Sequence, residues 1–183
     1  MISKLPKQYA WLAAEPAPRI LTTAVQLYGT AEQPGPGNNP SILEWAKAVG
    51  LDKQYKADSI AWCGLFMAYA ALQAGFDPPQ INPLGARNWL GFGVPQDVAM
   101  LGDVLVFWRE RETGFKGHVG IYVGESRDRY YVLGGNQQDM VSIAPVAKAR
   151  LLGARRCKWR IAQPANVRCV FLENNGALST NEA

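Results

Sequence analysis

Three residues could together carry out nucleophilic chemistry, because their types match a thiol, its base and a group that orients the base. Cys63 begins a long apolar segment, His118 is the only histidine of the chain and begins an alternating apolar segment, and Asn136 ends a later one. A thiol becomes a nucleophile when a neighbouring base takes its proton, and a third polar group holds that base in place. We therefore predict Cys63 as nucleophile, His118 as base and Asn136 as the orienting group.

A buried helix is expected at the nucleophile. Residues 62–74 are apolar almost all round, which is typical of a helix in the core, and Gly75 then ends it. In the first turn of such a helix, the macrodipole and the free backbone N–H groups stabilise a thiolate and can bind an oxyanion. We therefore expect Cys63 to be a thiolate, with its own N–H as one oxyanion donor. Gln54 and Tyr55 are alternative sources of a second donor.

The base and the orienting group should lie on neighbouring strands of an antiparallel sheet. Alternating apolar patterns separated by turn residues predict strands over residues 102–108, 117–124, 129–136, 140–143 and 150–156. Side chains at positions 130, 132, 134 and 136 share one face of such a strand. This alternation predicts that Asn136 lies beside His118.

Helices are predicted upstream of these strands. Residues 20–28 form one amphipathic segment, and Ser41 with Glu44 forms a capping box for a helix that ends near Val49. A further short helix is expected over residues 86–90. Helices followed by strands favour an α+β fold over alternating β-α-β units.

The chain is expected to form one domain. Its length of 183 residues fits a single catalytic domain over residues 1–172 with a core over 20–156, and the polar residues 173–183 suggest a flexible tail. No segment approaches the roughly 18 apolar residues of a membrane span. The first residues lack a clear signal peptide, so we expect synthesis in the cytoplasm.

Composition argues against several partners and cofactors. Hydrophobic residues make up 48% of the chain and charged residues 19%, as in ordinary soluble domains. The net charge of +4 comes from scattered lysines and arginines, without the basic run interleaved with aromatics that nucleic-acid binding favours. One histidine and three cysteines without a Cys-x-x-Cys pair are too few ligands for zinc, so no metal or other cofactor is expected. Cys157 and Cys169 are expected to be free thiols.

Each candidate residue also has an ordinary structural interpretation. A cysteine is often a small buried apolar residue, a single histidine in a strand is often structural, and an asparagine after two glycines often belongs to a turn. The catalytic interpretation therefore depends on all three residues fitting one architecture.

The motifs around these residues resemble one family. Residues 61–69, with Trp62-Cys63 at their start, are similar to the Trp-Cys motif of CHAP domains, the cysteine, histidine-dependent amidohydrolases/peptidases. Residues 102–107 and 117–122 resemble the strand that precedes the family histidine and the histidine strand itself. Residues 133–137, Leu-Gly-Gly-Asn-Gln, resemble a phage-associated and bacterial branch of this group, which is related to the NlpC-type peptidases.

The resemblance implies a papain-like fold and hydrolysis of peptidoglycan amide bonds, with Cys63 and His118 as the catalytic pair. The third family residue is Asn, Asp, Glu or His, so Asn136 is the best match and Gln137 its competitor. The implied partners are stem or cross-bridge peptides of the cell wall, and in addition an immunity protein or a delivery machine. The protein would then act on the wall after export, injection or phage-mediated release.

Two other functions remain open on the sequence. The chain could be a non-catalytic module that binds wall peptides, or a cysteine protease or acyltransferase that acts on proteins. Retention of Cys63, His118 and Asn136 together favours an enzyme over a binding module.

Overall fold

The architecture is taken from a computed structural model, which describes residues 5–159, 162, 164–173 and 177–179. Within these residues, the α-helices are α1 (Trp11–Ala14), α2 (Arg19–Gln26), α3 (Pro40–Ala48) and α4 (Cys63–Gln73). Short 3-10 helices occupy Lys7–Tyr9, Ala86–Gly91 and Lys148–Arg150. The strands are β1 (Val94–Gln96), β2 (Val104–Trp108), β3 (Gly117–Glu125), β4 (Arg129–Gly134), β5 (Ser142–Ala147) and β6 (Leu151–Arg156).

The strands form one antiparallel sheet in the order β1-β6-β2-β3-β4-β5. Strands β2 to β5 pair in chain order, as the predicted meander requires. Strand β6 then crosses back to pair with the other side of β2, and the short strand β1 adds to its outer edge. The predicted α+β class, with helices packed on an antiparallel sheet, is therefore confirmed.

Helix α4 is central because it contacts α2, α3, β3 and β4. Its sequence carries no charged residue, and its side chains are buried along almost its whole length. It begins at Cys63, as predicted, and Gly75 with a φ of 82° follows its last turn. At its start, a Cβ on Gly64 would lie 2.3 Å from the carbonyl oxygen of Leu84. Glycine is therefore required there, and the loop before the 3-10 helix Ala86–Gly91 packs directly on the first turn.

The capping box predicted at the start of α3 is wrong. The N-cap is Asn39, whose side chain accepts a hydrogen bond of 2.9 Å from the backbone N–H of Ser41. Pro40 occupies the first helical position, where its fixed φ suits a helix and its missing N–H costs nothing. The helix thus begins before Ser41, which lies inside it.

The strand predicted over residues 129–136 is too long, since β4 ends at Gly134 and Asn136 has a φ of 58°. A left-handed residue cannot continue a strand, so side chains stop alternating between faces at this point. This local change determines which amide reaches His118.

The predicted domain limits stay a prediction, and much of the predicted tail, residues 174–176 and 180–183, lies outside the described residues. Among the residues that are described, no helix has both the length and the apolar character needed to cross a membrane.

Candidate active site

The nucleophile candidate lies where helix α4 meets strand β3. Cys63 is the first residue of α4, and only 5% of its surface is exposed. The backbone N–H groups of Val119 and Gly64 act on its sulfur in the direction that lowers the pKa of the thiol. Because Val119 directly follows His118 in β3, the thiol of Cys63 lies against the strand that carries the predicted base.

The thiol does not have the lowered pKa that its place at a helix start suggested. Burial raises the pKa of Cys63, and this outweighs the opposing effects of the Val119 and Gly64 N–H groups and of the positive charge of Arg109. Loss of water disfavours the charged form more than the nearby dipoles favour it. The expected resting thiolate is therefore not supported, and the thiol needs a base that takes its proton during the reaction.

His118 is fully buried in β3 and contacts Gln137. The distance between His118 Nε2 and Gln137 Oε1 is 3.0 Å. The amide nitrogen of Gln137 donates to the backbone oxygens of Ser142 at 2.6 Å and Val132 at 3.3 Å. Both of these oxygens can only accept, so the amide nitrogen must face them and the amide oxygen must face the imidazole.

This orientation selects one tautomer of the imidazole. The amide oxygen of Gln137 has no proton to donate, so the hydrogen bond requires the proton to be on Nε2 of His118. In the neutral ring, Nδ1 is then the basic nitrogen. The hydrogen bonds of one glutamine thus determine which imidazole nitrogen can act as base.

Asn136 does not make the contact that strand alternation predicted. Its side-chain nitrogen donates to Glu32 Oε1 at 3.3 Å, whereas the next residue, Gln137, reaches His118. The left-handed backbone at Asn136 ends the alternation, and so the amide that faces the imidazole is one position further along the chain.

The approach of imidazole and amide depends on Gly134, the last residue of β4. A Cβ there would lie 3.0 Å from His118 Nε2 and 2.9 Å from Gln137 Oε1. Any larger residue would therefore push on both partners of the hydrogen bond. The Gly-Gly pair before Asn136 has a function beyond making a turn.

Glu32 contacts two segments of the candidate site and was not predicted from the sequence. Its Oε1 accepts hydrogen bonds from Trp62 Nε1 at 2.7 Å and from Asn136 Nδ2 at 3.3 Å. These donors directly precede Cys63 and Gln137 in the chain. Glu32 lies 30 residues before Trp62, next to a Pro/Gly-rich turn, so no spacing signal pointed to it.

A cavity of about 550 Å3 lies beside Glu32 and is also lined by Asp58 and Asp139, but not by Cys63 or His118. Burial is the main cause that raises the pKa of Glu32, and the charges of Asp139 and Asp58 add to it. Asp58 is itself buried and accepts backbone N–H groups of Gln33 and Asn39 at 2.8 and 2.7 Å. Asp58 thus holds the turn that walls this cavity.

Other conspicuous residues have structural roles. Asp103 forms a two-pronged ion pair with Arg156, at 2.8 and 2.7 Å, as expected of a residue at a strand end. The Tyr55 hydroxyl donates to the Ile60 carbonyl at 3.2 Å. Cys157 and Cys169 are free thiols, as predicted. Over the described part of the chain, no three His, Cys, Asp or Glu side chains are grouped so as to hold a metal ion.

Comparisons with known proteins give a likeness of fold. No family model matches the chain, and neither does any curated protein. A solved structure from Staphylococcus aureus subsp. aureus Mu50, described as similar to a lipoprotein of the NLP/P60 family, resembles it with 18% identity and a TM-score of 0.44. The match covers 83% of this chain but only 42% of that one, so this chain spans less than half of that protein's length. Membership of a family is therefore part of the proposal that follows.

Proposed function

We propose that this chain is a cysteine hydrolase of the CHAP and NlpC type, which cuts amide bonds in the stem or cross-bridge peptides of peptidoglycan. Cys63 is the nucleophile, His118 the base and Gln137, rather than Asn136, the group that orients the imidazole. The observation that carries the proposal is the fixed Gln137 amide, because it makes Nδ1 the basic nitrogen of a histidine on β3, the strand against which the helix of Cys63 packs.

The first half of the reaction forms an acyl-enzyme. Nδ1 of His118 takes the thiol proton as Cys63 Sγ attacks the carbonyl carbon of a peptide bond. The tetrahedral intermediate then collapses, the carbon–nitrogen bond breaks, and the imidazolium gives its proton to the leaving amine. A raised thiol pKa suits this sequence, because the sulfur stays protonated until the base acts.

The helix start supplies donors for the oxyanion. The backbone N–H of Cys63 and that of Gly64 are in the first turn of α4, whose early N–H groups lack partners within the helix. Tyr55, one of the two residues considered for a second donor, uses its hydroxyl to bond Ile60.

The second half of the reaction releases the acyl group. His118 takes a proton from water, the hydroxide attacks the thioester carbonyl, and the carbon–sulfur bond breaks. The thiolate of Cys63 then recovers the proton from the imidazolium, which restores the starting state. Gln137 accepts from Nε2–H throughout, so the same nitrogen acts as base in both halves.

Peptidoglycan is the proposed substrate because of the motifs, not because of a pocket. The Trp62-Cys63 pair, the strand that begins at His118 and the Gly134-Gly135-Asn136-Gln137 segment resemble wall-cutting enzymes in this order. A net charge of +4 favours approach to an anionic polymer. The protein would reach the wall by export, injection or phage-mediated release.

Zymography tests the proposal. Purified peptidoglycan and casein are embedded in separate gels and exposed to the wild type, to Cys63→Ala, and to the matched controls Cys157→Ala and Cys169→Ala. We expect clearing of peptidoglycan only, by every protein except Cys63→Ala. Clearing of casein instead would indicate a protein-directed protease, and binding of peptidoglycan without any release of peptides would indicate a binding module. Mass spectrometry of the released muropeptides identifies the bond.

A further inference from the structure

One carboxylate oxygen joins the two segments that carry the proposed nucleophile and the orienting amide. Glu32 Oε1 accepts from the indole of Trp62 and from the side chain of Asn136, and both donor residues are buried. Trp62 precedes Cys63 and Asn136 precedes Gln137. The residue before Cys63 and the residue before Gln137 are thus both hydrogen-bonded to the same oxygen atom.

Glu32 is itself fixed to the orienting loop by its backbone. Its N–H donates to the Asp139 carbonyl at 2.8 Å, and the Val141 N–H donates to Thr30 at 2.7 Å. Ala31 forms an antiparallel bridge with Met140 between these bonds. The backbone of Glu32 is therefore hydrogen-bonded to the loop around Gln137, while its carboxylate bonds Trp62.

That loop has a backbone that needs support. Asn136, Gln138 and Asp139 have φ values of 58°, 54° and 60°, a region that side-chain-bearing residues rarely adopt. Such strain persists only where surrounding contacts hold it. Within the loop, the Gln137 N–H donates to the Met140 carbonyl at 3.0 Å, and the Glu32 bonds add support from outside.

An ionised carboxylate strengthens these two bonds, since hydrogen bonds to charged acceptors are stronger than those to neutral ones. The benefit is opposed by burial and by the charges of Asp58 and Asp139, which raise the pKa of Glu32. A glutamate kept in such surroundings is better explained by the geometry it holds than by its own contribution to stability.

We propose that Glu32 is a positioning residue for the reaction, because its carboxylate holds Trp62 and Asn136, and through them Cys63 and Gln137, in one fixed relation. This inference rests on the proposed function. It adds that turnover depends on an acceptor at residue 32 which does not touch the substrate.

The test compares Glu32→Leu, which removes the acceptor at similar size, with Glu32→Gln, which keeps an acceptor oxygen. Glu44→Leu is the matched control, because Glu44 is exposed on α3. On a soluble muropeptide we expect Glu32→Leu to lose about 10- to 100-fold in kcat with KM within about twofold, as misplacement of reacting groups predicts. Glu32→Gln should recover most of the loss, and Glu44→Leu should match the wild type.

Either of two results for kcat overturns the proposal. One is a kcat for folded Glu32→Leu within about twofold of the wild type, and the other is an equal loss in Glu32→Gln and Glu32→Leu. A rise in KM alone would also overturn it, because Glu32 would then bind substrate rather than position the enzyme's own groups. Thermal unfolding of each variant confirms that the protein measured is folded.

A substrate-free measurement separates this proposal from the proposed function. The indole N–H of Trp62 should exchange with solvent faster in Glu32→Leu than in the wild type or Glu32→Gln, and iodoacetamide should reach Cys63 faster. If the wild type fails to cut peptidoglycan but these differences appear, the proposed function fails while the positioning role stands. If neither the indole exchange nor the alkylation rate changes, the positioning role fails on its own.

Discussion

Removing the side chain of Gln137 should affect the orientation of His118, whereas removing that of Asn136 should not. Gln137→Ala deletes the oxygen that lies 3.0 Å from His118 Nε2, and it leaves a buried imidazole N–H without that acceptor. Asn136→Gly deletes the amide that bonds Glu32, while glycine tolerates the left-handed backbone there. The pair of variants therefore tests which amide orients the base.

The expected magnitude follows from burial. A buried donor that loses its acceptor costs about 1–3 kcal/mol, and most of that cost falls on the tautomer with its proton on Nε2. Because each 1.36 kcal/mol is about a tenfold change in rate, Gln137→Ala should lower kcat by about 10- to 100-fold. Asn136→Gly leaves the imidazole contact intact and weakens only a longer bond, so about threefold is expected.

The assay is steady-state kinetics on one soluble muropeptide, combined with 15N NMR of the single histidine. The wild type should show a neutral ring protonated at Nε2, and Gln137→Ala should show a mixture of tautomers or the other one. Asn136→Gly should keep the wild-type tautomer. A larger loss of kcat in Asn136→Gly than in Gln137→Ala would refute the reasoning and restore Asn136 as the orienting residue.

Three further results are expected. The raised thiol pKa predicts that iodoacetamide labels Cys63 slowly at pH 6 and faster as the pH rises, and rapid labelling at pH 6 in the folded protein would contradict a resting thiol. Since the charge of Arg109 lowers that pKa, Arg109→Gln should move the labelling profile to higher pH, whereas Arg111→Gln, which removes an equal charge from the same hairpin, should move it less. Gly134→Ala should lower kcat because its Cβ would contact both imidazole and amide, whereas Gly91→Ala, where a Cβ meets nothing within 4 Å, should not.

Local pattern predicted α4 and most of the strands, but not the order of the strands in the sheet. It also missed α1 and β1, and the strand predicted over residues 140–143 overlaps β5 (Ser142–Ala147) only at its start. Strands β2 to β5 follow one another through short turns, so alternation and turn residues identify both the strands and their pairing. The pairing of β6 with β2 joins residues roughly fifty positions apart, and no local pattern encodes it. The edge strand β1 contains Pro95 and only three residues, which is too short to show alternation.

The candidate site residues that lie in regular helix or strand could be predicted from the sequence, and those in irregular backbone could not. The start of α4 placed Cys63, and a regular strand placed His118, because period and terminators determine both. The amide that faces His118 lies one position beyond the predicted one because backbone φ is positive at Asn136. The sequence signal for this change was the turn tendency of an asparagine after two glycines, which conflicts with the strand alternation that predicted Asn136. Glu32 could not be found because its contacts with the site are two hydrogen bonds to residues distant in the sequence.

The burial of the thiol also changes how the helix start should be interpreted. A cysteine at an exposed helix terminus would gain a thiolate from the dipole alone, but Cys63 is 95% covered and its pKa is raised. The N–H groups of the first turn lower the pKa of the resting thiol without overcoming burial, and in the proposed reaction they serve the negative charge that develops on the substrate oxygen. The same burial that suppresses the thiolate also excludes water from the imidazole, whose Nε2 lies 3.0 Å from Gln137 Oε1. The proposed choice of base nitrogen and the protection of the proposed nucleophile thus share one physical origin, the packing of α4 on β3.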